Sequence, residues 1–134
     1  MTGLPIIGLF VALFGFMLIV MTVEVGLRRG KVCVLLLNGG NEMLLRRIGS
    51  HANFLEYVPL ALILVALLGA NGASATFLYS TGTVLLVARA LHYFTLTFFD
   101  SPRIRPISML GTTGVIIALA IGLLAYYWRN THGL

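Results

Sequence analysis

The sequence predicts an all-α integral membrane protein, a bundle of four transmembrane helices with short connections. Composition and charge placement carry that expectation. Hydrophobic residues make up 59% of the 134-residue chain and charged residues 10%, against about 25% charged in ordinary soluble domains. Mean hydropathy is +1.00. A chain this short has too few polar side chains to cover a water-facing surface. Its charges are also segregated: residues 1–23, 57–88 and 106–128 contain none.

A membrane span needs roughly 20 mainly apolar residues at about 1.5 Å rise each. The first charge-free stretch therefore predicts one helix, over 3–27. The middle stretch is too long for one span and contains Gly69, Asn71, Gly72 and Ser74, which punctuate helices. It divides into a second helix over 42–69 and a third over 73–99, the latter running on through Arg89. Asp100, Ser101 and Pro102 stop the third helix, and the fourth occupies 105–129. Together they form a single transmembrane domain over 1–134. Only helices and closed barrels satisfy backbone polar groups in lipid, and no ten-residue segment alternates as a barrel strand would. The first apolar run is too long for a signal-peptide core and lacks a basic leader and an A-x-A site, so it is expected to remain as a helix.

Lys and Arg set the orientation. Arg28, Arg29, Lys31, Arg46 and Arg47 lie in the first connection and Arg103 and Arg105 in the third. The second connection has none and the C-terminal tail has Arg129. This asymmetry predicts that connections one and three face the cytoplasm. The net charge of +5 is this bias summed, suited to anionic lipid rather than nucleic acid. The single cysteine, Cys33, permits no internal disulfide, and the scattered His51, His92 and His132 support no metal site.

Ionisable residues within spans cost about 2.5–3.5 kcal/mol on insertion scales, so they mark contacts or sites. Glu56 lies inside the second helix and Arg89 inside the third. Their opposite charges allow a structural ion pair. The neighbours argue for more: Arg46, Asn53, Glu56, Tyr57 and Leu60 share one helical face, and Arg89, His92, Tyr93 and Leu96 share another. Two polar stripes displaced toward the basic end predict a pocket between helices. Arginines there suit carboxylates, Glu56 suits an amine, and Asn53 and the tyrosines add hydrogen bonds. The inventory fits a small zwitterion with more than one carboxylate.

Residues 46–59, RRIGSHANFLEYVP, closely resemble the second-helix motif of the MAPEG family, membrane-associated proteins of eicosanoid and glutathione metabolism. Residues 88–93, ARALHY, are similar to its third-helix motif, and 37–41, LNGGN, to the turn before the second helix in bacterial members. The resemblance covers essentially the whole chain. It implies a homotrimer in a bacterial inner membrane, with active sites between subunits, where glutathione is co-substrate and a lipophilic partner arrives from the bilayer. The implied activity is a glutathione-dependent transferase or peroxidase acting on lipophilic electrophiles or lipid hydroperoxides, a detoxifying role. Asn53, Glu56, Tyr57 and Tyr93 match binding residues, and Arg28 or Arg29 matches a basic pair after the first helix. Arg46, Arg89 and His92 complete the expected glutathione site. Gly49 stands where many members carry arginine, which favours weaker glutathione binding or a non-catalytic lipid- or thiol-binding relative.

The thiolate is the nucleophile of such chemistry, and a free thiol has a pKa of about 8.5. A nearby arginine stabilises the anion. The resemblance places that arginine near the junction of the third and fourth helices, where Arg105 is favoured over Arg103. Small four-helix drug–proton antiporters are of similar length, but a cationic pocket would repel cationic drugs. Glu24 is expected to pair with Arg28 one turn on. Gly111, Gly114, Ala118, Gly122 and Ala125, with a thinner stripe of Gly8, Gly15 and Thr22, predict close helix packing. Tyr126, Tyr127 and Trp128 suit an interfacial belt, and His51 an interfacial hydrogen bond.

Overall fold

The structure is a computed structural model that describes residues 3–99 and 103–132. It is an all-α bundle of four long apolar helices: α1 (Gly3–Val32), α2 (Glu42–Ala70), α3 (Ala75–Phe94) and α4 (Ile104–His132). A π-helical turn, Thr95–Phe99, extends α3. The expected stop at residues 100–102 lies outside the described residues. All four helices are long and apolar enough to cross a membrane.

The helix ends differ from expectation for local reasons. The first helix continues past residue 27 to Val32, because Arg29 and Lys31 in its last turn complement the negative end of the helix dipole. Charges there read as loop in the sequence but stabilise the helix. The second begins at Glu42, where the Asn41 side chain caps it by accepting from the Leu44 N–H at 2.9 Å. The third starts at Ala75 rather than 73, since Ser74 takes the cap position and accepts from Phe77 N–H at 3.3 Å. Pro59 sits inside α2 without ending it. The fourth runs to His132, beyond residue 129.

Chain order sets an up-down-up-down bundle in which α1 packs along α2 and α3 along α4, with α2 also against α4. Thirty residues of α1 span about 45 Å at 1.5 Å each, longer than a hydrocarbon core of about 30 Å. The helices therefore overhang it. One end holds residues 3, 69–78 and 122–129; the other, the basic end, holds 24–47, 92–99 and 103–105. The core is a column of Phe14, Phe54, Leu85 and Leu119, all buried, with the Phe14 and Phe54 rings 6.1 Å apart. Large apolar side chains such as Phe16, Ile63, Ile121 and Leu124 cover the outside, as lipid requires.

Small residues pack selectively. Gly82 lies flat against the Phe10 ring, and a methyl group built there would overlap it. A methyl on Gly111 would stand 3.1 Å from the Ala88 side chain. By contrast Gly8, Gly15 and Gly114 have nothing within 4 Å, so much of the expected packing stripe faces outward from the chain.

Candidate functional site

The basic end gathers three polar clusters. The first joins α2 to α3. Arg89 is 2% exposed, and its Nη1 donates to Asn53 Oδ1 at 2.6 Å. Its Nη2 reaches the Met109 sulfur at 3.7 Å, and its guanidinium lies 5.8 Å from the Tyr57 ring centroid, within cation–π range. Arg89 Nε makes no hydrogen bond among the described residues. A charge so deep requires this ring of soft and polar partners.

The second cluster joins three helices. Glu24, half-buried on α1, takes Arg47 Nη2 on Oε1 at 3.2 Å. Its Oε2 accepts the Tyr93 hydroxyl. The expected pair of Glu24 with Arg28 does not form: the carboxylate is taken instead by Arg47 of α2 and Tyr93 of α3. The third cluster is a buried contact between His92 Nδ1 and Ser108 Oγ at 3.0 Å, tying α3 to α4. The three residues Arg89, His92 and Tyr93 thus leave α3 toward three different helices.

Glu56 stands apart. It is exposed on the outer face of α2 and has no hydrogen bond or ion pair among the described residues. The ion pair with Arg89 that opposite charges allowed is absent: Asn53 and Tyr57 face inward, and Glu56 lies round the helix from them. The expected pocket between the two stripes is also closed, since Arg89 and Asn53 touch directly. The open space lies nearer the helix ends, in a cleft of about 430 Å³ lined by Asn41, Glu42, Met43, Arg46, Thr97 and Phe98. Arg46 also approaches Glu42 at 3.9 Å.

The remaining candidates have separate places. Arg29 donates to the carbonyls of Leu35 and Leu37 at 3.2 and 2.8 Å and so fastens the connection after α1. Arg28 is half-buried beside it. Arg105 is half-buried in the first turn of α4, and its carbonyl accepts from Ser108 Oγ at 2.8 Å; Arg103 is exposed before that helix. His51 Nε2 meets Thr22 Oγ1 at 3.0 Å, tying α2 to α1. Among the described residues no group of three His, Cys, Asp or Glu could hold a metal ion.

Glu24, Arg47, Ser108 and Met109 also belong to these clusters, although neither the polar stripes nor the resemblance places them in a site. Glu24 carried a usable signal: it is an acid near the end of an apolar helix, and an internal partner competes well with a local one. Arg47 follows Arg46 but is turned about 100° round the helix, toward α1 and α3 rather than the cleft.

The chain matches the family model described as "MAPEG family" over residues 6–125. It is also 37% identical, over 57 residues, to "Inner membrane protein YecN" of Escherichia coli (strain K12) and to its namesake in Escherichia coli O6:H1. The aligned part is 42% of this chain and spans 44% of the length of those relatives. No solved structure matches the chain.

Proposed function

Because the chain belongs to the MAPEG family, we propose that it is a multi-pass inner-membrane enzyme that uses glutathione as co-substrate. It would conjugate the thiol to lipophilic electrophiles, or reduce lipid hydroperoxides with it, as a homotrimer whose sites lie between subunits. The observation that carries this reading is the position of Glu56. It is an exposed carboxylate within a span, with no partner among the described residues, one helical step from the Asn53–Arg89 contact. Facing lipid, such a group costs about 2.5–3.5 kcal/mol. A neighbouring copy and a ligand amine would together remove that cost.

In this reading Glu56 binds the glutathione amine, while Arg46, at the cleft, and Arg28 bind its carboxylates. Arg89, Asn53 and Tyr57 form a rigid floor that holds Glu56 outward. Arg105 stabilises the thiolate, with Arg103 at the rim. Connections one and three face the cytoplasm.

A binding-only protein of the same fold is the second reading. It is favoured by Gly49, which leaves an exposed, empty position on the outer face of α2. The engagement of Tyr93 by Glu24 also removes one expected glutathione ligand. Titration of the purified protein with glutathione, following thiolate absorbance, separates the cases. Saturable thiolate formation supports the enzyme. Saturable binding without thiolate supports the binder, and absence of binding at millimolar glutathione defeats both glutathione roles.

A further inference from the structure

The end of the bundle away from the basic clusters holds a second cleft, of about 450 Å³, between the α2–α3 turn and the overhanging end of α4. That volume lies in the range of about 300–1,000 Å³ typical of small-molecule sites. Its floor is apolar, formed by Phe77 and by Gly122, whose missing side chain deepens it. A methyl group on Gly122 would stand 3.9 Å from the Phe77 ring and 3.6 Å from Leu68, so the position accepts a side chain without clash.

The rim is polar and rich in donors. Asn71, Ser74, Tyr126 and Arg129 line it. The Asn71 amide nitrogen is already engaged by the Leu67 carbonyl at 2.8 Å, and Ser74 Oγ accepts from Phe77 N–H while its own hydrogen stays available. The Arg129 guanidinium and the Tyr126 hydroxyl have no partner among the described residues. Among the described residues Arg129 is the sole Lys or Arg of this end, and no Asp or Glu lines the cleft.

We propose that this cleft binds one phospholipid, with the phosphodiester on Arg129 and Tyr126 and an acyl chain laid along Gly122 and Phe77. Arg129 supplies a planar double donor matched to phosphate oxygens, and Tyr126 adds a third hydrogen. An amphiphile is required by the lining: a free phosphate would leave the apolar floor empty, and an alkane would leave the guanidinium unpaired. The level is right, since aromatic residues at this end of α4 mark the membrane–water boundary. This site is distinct from the glutathione reading, which concerns the opposite end.

The test is native mass spectrometry of the delipidated full chain in detergent, titrated with phosphatidylglycerol or with soluble glycerol 3-phosphate. The wild type is expected to retain one phosphatidylglycerol per chain more tightly than any further lipid. Arg129→Gln is expected to weaken that first binding roughly tenfold or more, as loss of a charge-assisted hydrogen bond does. Gly122→Leu, which fills the floor and leaves every charge in place, is expected to abolish it. Lys31→Gln, an exposed cation at the other end, is expected to leave it unchanged. Equal retention by Arg129→Gln and wild type, or undiminished binding in Gly122→Leu, would overturn the proposal. Glycerol 3-phosphate binding as tightly as the lipid would overturn it too, by assigning the cleft to a free phosphate ester.

Discussion

Arg89 on α3 finds its closest partner in a neutral amide, Asn53 on α2, at 2.6 Å. No carboxylate meets that guanidinium among the described residues, although Glu56 is only three residues from Asn53. The amide orders the charge without neutralising it. Removing the amide alone strands a buried cation. Asn53→Leu is expected to destabilise by about 1–3 kcal/mol, and the double variant Asn53→Leu/Arg89→Met to regain most of that loss. Thermal melts of the four members of this cycle in one detergent provide the check; additive losses would contradict it.

Gly82 and Phe10 form the tightest small-to-large contact between α1 and α3. Gly82→Ala is expected to cost about 1–3 kcal/mol through overpacking, and Phe10→Leu in the same chain to restore part of it. Gly8→Ala, in open space, is expected to be neutral or slightly stabilising because alanine favours helix. A melting temperature that falls equally for Gly8→Ala and Gly82→Ala would refute the assignment.

The carboxylate of Glu24 serves Arg47 and Tyr93 at once. Tyr93→Phe is expected to cost about 0.6–1.7 kcal/mol, the range for hydrogen bonds within membranes. Glu24→Gln is expected to cost more, since Arg47 loses its counter-charge. Once Glu24 is neutral, Tyr93→Phe should add little. The readout is the coupling energy from unfolding in mixed micelles; zero coupling would mean the three side chains act independently.

Glu56→Gln separates site from scaffold. With no internal partner, the carboxylate adds no pairing within the folded chain, and its neutralisation is expected to leave the stability of the ligand-free chain unchanged or raised. Glutathione affinity is expected to fall roughly tenfold or more, the worth of a charge-assisted bond. Calorimetric titration paired with a melt tests this. A stable variant that binds as well as wild type would remove Glu56 from the site.

Orientation has a built-in reporter. Cys33 is exposed in the first connection and is the sole cysteine of the chain. A membrane-impermeant maleimide is expected to label it in inside-out vesicles and to spare it in intact bacterial cells. Labelling of intact cells would place the basic connections on the outer side.

The four spans were legible because charge is excluded from long stretches, and that exclusion is a one-dimensional property of the chain. Asn53, Tyr57 and Arg89 were legible as neighbours, since helical spacing puts them on facing stripes. What spacing could not resolve was the direction within a stripe. Glu56 and Asn53 differ by three residues, about 60° round the helix, and that angle separates the outer surface from the interior. Glu24 was misassigned because i,i+4 spacing permits a local pair, while the structure offers a better one through tertiary packing. The outward stripe of Gly8, Gly15 and Gly114 could not be oriented from one chain either: small residues signal close approach, but not to whom.

The π turn at Thr95–Phe99 acts on the chain as an inserted residue would. Each extra residue advances a helix by about 100°, so counting forward from Arg89 in α-helical steps loses phase beyond Thr95. Whatever face Arg89 and His92 define, Thr97 and Phe98 are rotated off it, toward the cleft shared with Arg46. A relative that lost this turn by deleting one residue would swing both side chains out of that cleft while leaving every upstream contact of α3 intact. Length variation between Arg89 and Arg105 is therefore a dial on the shape of the cleft, set independently of the bundle that supports it.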